Sequence, residues 1–286
     1  MVALVVFSAY LLLNSRGEGS WSLWPDKRGL GVVKVNGPII ESTEILHAIS
    51  ILNRDPQVKA IVVRIDSPGG AVGASQEIYK ALRDTTKPTI ASLGNVAASG
   101  GYYIASACDE IISNPGTITG SIGVITTIPN LEELFSKLGI KIQVLTSGPL
   151  KGVGQSSRPL NPEEEALLQG IIQDLHSQFV MDVASGRALE ENEVLTLADG
   201  RVFTGRQALE NGLVDSLGNY QDAIESAIKL GNLSYDPNII CPQEDNIGFW
   251  QSMGAQSAQA FHQQLMALLA GSSLPGFMMP APGGGE

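Results

Sequence analysis

Cysteine is scarce: the 286 residues hold two, Cys108 and Cys241. Two thiols cannot build a disulfide framework or a four-thiolate zinc site. Cys108 lies in an apolar stretch (YYIASACDEII) and reads as a small buried core residue. Histidine is nearly as scarce. His47, His176 and His262 stand far apart, none in an H-E-x-x-H or C-x-x-C context, so no metal ligand is assigned. Charge is thin as well, at 16 % of residues against a typical ~25 %. Positive charge is the rarer sign, with 18 Lys and Arg against 29 Asp and Glu and a net charge of −11. Nucleic acid is therefore excluded as the main partner, because phosphate binding needs a basic footprint. No motif calls for a nucleotide or organic cofactor.

Apolar residues and glycine are plentiful. Hydrophobic residues make up 43 %, enough to bury a sizeable core, and 32 glycines imply many tight turns and close backbone approaches. The opening, residues 1–13 (MVALVVFSAYLLL), carries no charge but falls short of the ~20 residues that span a bilayer. No Lys or Arg precedes it, and no small-residue cleavage site follows. It reads as a membrane anchor cut short at its start, or else as a buried helix. The anchor is favoured, because 17–26 then becomes a polar linker with Trp21 and Trp24 near an interface. Residues 161–200 hold nine acids against the single base Arg187, the pattern of a solvated helical face.

From residue 30 onward strand and helix signals alternate. Residues 30–35 (LGVVKV) and 58–65 (VKAIVVRI) are nearly unbroken apolar runs, as in buried parallel strands. Helical spacing covers 42–53 and 74–83, and a strand is expected at 89–93 with a turn at 94–98. A helix begins near Ser99. Short strands are expected at 110–113, 123–127 and 141–146, with helices near 130–138, over 162–186 and over 220–230. Past Ser234 no sheet is expected; 249–270 reads as an isolated amphipathic helix and 271–286 as a Gly/Pro-rich tail. The alternation means an α/β domain on a mostly parallel sheet, with functional loops at the carboxyl ends of the strands.

Two stretches could carry chemistry. In Asn95-Val96-Ala97-Ala98-Ser99-Gly100-Gly101, small residues surround one serine where a strand gives way to a helix. A carbonyl could reach that hydroxyl, and the helix start offers free N–H groups to an oxyanion. The same serine could equally be only a helix N-cap. A serine nucleophile needs a base, and no histidine is placed for it. Lys151, in Ser147-Gly148-Pro149-Leu150-Lys151-Gly152, has no acid within ten positions on either side. Desolvation would favour its neutral, basic form; a lysine on a mobile glycine-rich loop is the other reading. The loop lacks the order of a phosphate-binding motif.

The chain resembles the signal peptide peptidase A family. The resemblance rests on Ile65-Asp66-Ser67-Pro68-Gly69-Gly70, Ala97-Ala98-Ser99-Gly100-Gly101-Tyr102-Tyr103, Thr119-Gly120-Ser121-Ile122-Gly123-Val124, and Ser147-Gly148 with Lys151. It extends through Asp199-Gly200-Arg201-Val202-Phe203-Thr204-Gly205 and Gly212-Leu213-Val214-Asp215, in the family's order over about 30–230. The resemblance implies a Ser–Lys dyad peptidase of the Clp protease/crotonase-like fold, preceded by the anchor. Ser99 would be the nucleophile, Lys151 the general base, Ser121 the group positioning the lysine, and the backbone N–H groups of Gly70 and Gly100 the oxyanion hole. It also implies a homo-oligomer, an octameric ring with sites shared between subunits. Implied, too, is a single-pass anchor in a bacterial cytoplasmic membrane with the catalytic domain on its extracytoplasmic side. Substrates would be cleaved signal peptides and similar hydrophobic peptides. The alternatives are a related membrane protease cutting one specific protein, or an inactive peptide-binding scaffold. The expected division is an anchor at 1–16, a linker at 17–29, a peptidase domain at 30–235 and a C-terminal extension at 236–286.

Overall fold

The computed structural model describes residues 28–243. The expected anchor, most of the linker, and the helix and tail expected over 249–286 lie outside the described residues. Three strands form the centre of the sheet: β1 (Gly29–Asn36), β2 (Val58–Ser67) and β3 (Thr89–Ala98), parallel and in the order β3-β2-β1. The crossovers are α1 (Thr43–Arg54) and α2 (Val72–Arg83). Side chains alternate across each strand, so both faces are apolar where both are covered. Val33, Val35, Ile61, Val63, Ile65 and Leu93 pack with Leu52, Ile78 and Leu82 on one face. Leu30, Val32, Ala60, Val62 and Ile90 pack under Ala223, Ile224 and Ala227 on the other.

Shorter elements extend this sheet. After α3 (Gly100–Ala105) come β4 (Glu110–Ser113) and β5 (Ile118–Gly120), both parallel to β3. The strand changes partner along its length: residues 90–93 pair with β4 and residues 96–98 with β5. An outer segment then carries α4 (Glu132–Lys137) and leads to α5 (Pro162–Arg187) and α6 (Glu191–Leu197). β6 (Val202–Thr204) pairs antiparallel with β5; α7 (Gly205–Glu210) follows, and β7 (Ser216–Leu217) pairs with β4. α8 (Tyr220–Leu230) supplies the residues covering the second face, and β8 (Asn238–Ile240) adds a parallel edge to β1. Among the described residues, one antiparallel pairing in an otherwise parallel sheet is the α/β class expected.

Several local expectations need correction. β3 does not end at residue 93 but stays extended to Ala98, where the turn was expected, because β5 takes over its hydrogen bonding. The strand expected at 123–127 lies instead at Ile118–Gly120, since positive φ at Gly120 (74°) and Ser121 (52°) turns the chain out of the sheet. Residues 141–146 form no strand; they meet no neighbouring edge among the described residues, and Leu145 is 88 % exposed. A sheet strand does follow Ser234, but the three residues of β8 are too short to read from pattern. The acidic run is not uniformly solvated either: Glu164 is fully buried and paired with Arg158. Among the described residues no helix is long and apolar enough to cross a membrane.

Candidate active site

The site is built where β2 and β3 leave the sheet. After Ser67 the chain turns through Pro68 and Gly69, and the Ser67 hydroxyl accepts the Gly69 N–H at 3.1 Å. Gly69 has φ +96°, and a Cβ there would lie 2.6 Å from Gly100 N and 2.9 Å from Ser99 Cβ. Only glycine allows this approach. The turn is fixed from behind by Ile39, whose N–H donates to Gly69 O at 2.9 Å and whose carbonyl accepts the Ala71 N–H at 2.7 Å. That bridge bypasses the Gly70 N–H, which stays outside the ladder.

Ser99 stands at the N-cap of α3 with φ 52° and ψ −121°, and its side chain makes no capping bond. The hydroxyl is therefore not spent on the helix. Ser99 N–H donates to Gly120 O at 2.8 Å, and Ser99 O accepts the Tyr103 N–H at 2.8 Å. Gly100 opens the helix, so its N–H is among the first-turn donors that a helix cannot pair itself. A Cβ on Gly100 would lie 3.3 Å from Gly70 N and 2.4 Å from Ser75 Oγ. Ser99, Gly100 and Gly70 thus converge, with two backbone donors beside one hydroxyl.

Behind them α3 is anchored by the two tyrosines of its own motif. The buried Tyr102 donates its hydroxyl to Leu213 O at 2.8 Å, and Tyr103 donates to the Asp182 carboxylate of α5. Burial pushes both phenols above their ordinary range, so both remain donors.

Ser121 is brought beside Ser99 by strand register. Ala98 pairs with Gly120, so the next residues of two adjacent parallel strands are Ser99 and Ser121, both at φ 52°. Ser121 N–H donates to Arg201 O at 2.8 Å, and Gly200 N–H donates to Ile122 O at 3.1 Å. Phe203 closes on Gly120, where a Cβ would meet its ring at 2.5 Å. The segment from Asp199 to Gly205 therefore braces the strand end that carries Ser121. Arg201 pairs with Asp199, whose carboxyl this guanidinium pulls down to about 2.

Among the described residues no hydrogen bond joins Lys151 to Ser99. The lysine lies exposed on the outer segment between β5 and α5, and its ammonium bonds to no described residue. Among the described residues, clefts of about 250 and 310 Å³ lie along α4 and residues 139–142 and beside α8 and β8. Ser99 lines neither.

Sequence reading missed Ser75, which backs Gly100, and Arg201 O, which holds Ser121. It also missed the grip of the Asp66 carboxylate on β3, where it accepts from Asn95 Nδ2 at 2.8 Å and Val96 N–H at 3.2 Å. Asp66 and Arg201 both lie in stretches that carried the resemblance, and that was the available signal. Cys108 is buried as expected, its thiol pushed up to about 12 by desolvation, and neither cysteine is bridged.

Comparison with known proteins places the chain in a family. Residues 81–234 match the model of Peptidase family S49, and residues 29–132 match that of ClpP-like SDH-type serine proteinases. A Synechocystis protein named as a protease is 46 % identical over 222 residues, covering 75 % of this chain and 80 % of its own. An Enterococcus faecium protein named as signal peptide peptidase SppA is 38 % identical over 210 residues, covering 72 % of this chain and 61 % of its own. Protease 4 of Salmonella typhi is 36 % identical over 216 residues, but these are 71 % of this chain and 35 % of that one. A solved ClpP1 mutant of Listeria monocytogenes aligns with TM-score 0.48 at 15 % identity, over 68 % of this chain and 94 % of its own. With the S49 model spanning more than half of the sequence, and a relative of similar length sharing nearly half its aligned residues, the chain belongs to peptidase family S49 and is a serine peptidase.

Proposed function

We propose that the chain is a Ser–Lys endopeptidase that degrades cleaved signal peptides and similar hydrophobic peptides at a bacterial cytoplasmic membrane. In this reading residues 1–16 anchor it, the peptidase domain (30–235) lies on the extracytoplasmic side, and residues 236–286 form an extension. The observation that carries the chemistry is the uncapped Ser99 hydroxyl beside the N–H groups of Gly70 and Gly100. A neutral Lys151 takes the Ser99 proton as Oγ attacks the peptide carbonyl. The carbonyl electron pair moves to oxygen, where the Gly70 and Gly100 N–H groups hold it. Collapse expels the amine, which takes the proton from Lys151, and water then hydrolyses the acyl-enzyme by the same route. Ser121 orients the lysine.

The exposed ammonium of Lys151, on a segment that also exposes Ile125 and Leu145, supports a site completed by another subunit of an octameric ring. Turnover of an apolar quenched-fluorescence peptide by the full chain tests this. Ser99→Ala and Lys151→Ala are each expected to be inactive, and co-refolding the two recovers part of the activity. Full activity of Lys151→Ala would remove the proposed base. Peptide binding without turnover in the wild type would favour a scaffold instead.

A further inference from the structure

β3 does not run straight into Ser99. Leu93 pairs with Ile65 and Ala97 with Ser67, so residues 94–96 stand opposite the single residue Asp66. At this same place β3 exchanges β4 for β5. An irregularity of this kind leaves ladder groups without strand partners, and buried ones must be met some other way. Side chains meet them here. Leu93 O accepts from Asn114 Nδ2 at 3.0 Å and from Arg64 Nη1 at 3.2 Å, and Gly94 O accepts from Thr117 Oγ1 at 2.6 Å. The donor side falls to Asp66: Oδ1 accepts the Val96 N–H and Oδ2 accepts from Asn95 Nδ2. Gly94 leaves room for this carboxylate, since a Cβ there would lie 2.8 Å from Oδ2.

The main chain of Asp66 belongs to the other half of the site. Its carbonyl accepts the Gly37 N–H at 2.9 Å, and the next residue, Ser67, holds the turn that presents Gly70. One residue thus has its backbone in the strand leading to Gly70 and its carboxylate on the strand leading to Ser99 and Gly100. We propose that Asp66 is a positioning residue: its carboxylate clasps the irregularity in β3 and so sets Ser99 and the Gly100 N–H in register with the Gly70 N–H. The clasp rests on the function proposed above for its effect on rate, though not for its geometry. Without it the Val96 N–H loses its acceptor, and the nucleophile drifts relative to the oxyanion donors.

The test uses the full chain, the same apolar peptide, and a peptide aldehyde whose carbonyl carbon bonds to Ser99 Oγ. In that adduct the carbonyl electron pair becomes the oxyanion, so its inhibition reads the donors directly. Displacement by about 1 Å costs on the order of 10²-fold, and Asp66→Ala is expected to lower kcat by about that factor with KM within ~3-fold. Aldehyde inhibition weakens in parallel with kcat/KM. Asp66→Asn keeps an oxygen for the Val96 N–H while Asn95 can turn its amide, so this variant stays within ~5-fold of wild type. Amide exchange over residues 94–100 speeds up in Asp66→Ala. Unchanged kcat in Asp66→Ala, or Asp66→Asn falling as far as Asp66→Ala, would overturn the proposal. Should the wild type hydrolyse no peptide, the proposed function fails on its own, and unchanged exchange over 94–100 would then overturn the clasp.

Discussion

A serine at φ 52° and ψ −121° occupies a backbone region that glycine enters freely and L-residues avoid, at a cost of order 1–3 kcal/mol. Ser99 is held there by its own N–H on Gly120 O and by the Tyr103 N–H on its carbonyl. In the function proposed above, that backbone sets the hydroxyl beside the Gly70 and Gly100 donors. Ser99→Gly would release the strain, whereas Ser99→Ala would keep it. Both variants are expected to lose peptide turnover. The glycine variant is expected to be the more stable by about 1 kcal/mol in denaturant melts, net of glycine's greater freedom when unfolded. Equal unfolding midpoints would mean that the backbone at Ser99 is relaxed.

At the scale of elements, the outer segment carrying Lys151 is tied down where it returns to α5. Leu131 N–H donates to Ser156 O at 2.7 Å, and Arg158 forks onto Glu164 at 2.6 and 2.7 Å. Glu164 also accepts the Asn161 N–H at 3.1 Å, while the Asn161 side chain accepts the Glu164 N–H at 2.9 Å. The Arg158 guanidinium, seconded by that backbone N–H, pulls the Glu164 carboxyl from 4.5 down to about 2. A carboxyl whose folded value is lowered stabilises the fold above its unfolded value, and that stability drains away as pH falls through the folded one. Glu164→Gln is therefore expected to melt below wild type at neutral pH, with the gap closing between pH 4.5 and about 2. A gap that did not change with pH would mean the ion pair adds nothing.

This corner also marks what pattern reading could reach. Asn161-Pro162 with Glu164 announces a capped helix start, and the expected helix over 162–186 became α5. The burial of Glu164 was hidden, because its partner Arg158 lies across a turn that has no periodicity. β1 and β2 were legible because both faces are buried, so their apolar runs are unbroken. β5 and β8 were not, since three residues carry no period. Ser99 and Gly70 could be named from motifs, but the clasp by Asp66 depends on a register shift that appears only once the strands pair.

For the molecule as a whole, the segment between β5 and α5 is where one chain looks unfinished. Residues 141–146 (KIQVLT) carry a strand pattern without a partner among the described residues, and Ile125, Leu138 and Leu145 are 87, 63 and 88 % exposed. Apolar exposure of this extent on one segment is what the ring proposed above would cover. Lys151 follows a few residues later, so covering this surface with a second copy would also fix where the ammonium sits. Leu145→Asp removes almost no contact within the chain, and the thermal midpoint of the isolated chain is expected to hold. Light scattering of the variant should fall from the mass of an assembly to that of one chain, and peptide turnover should vanish with it. If mass and turnover both stay at wild-type values, this surface is no interface. Lys151 would then have to serve the Ser99 of its own chain.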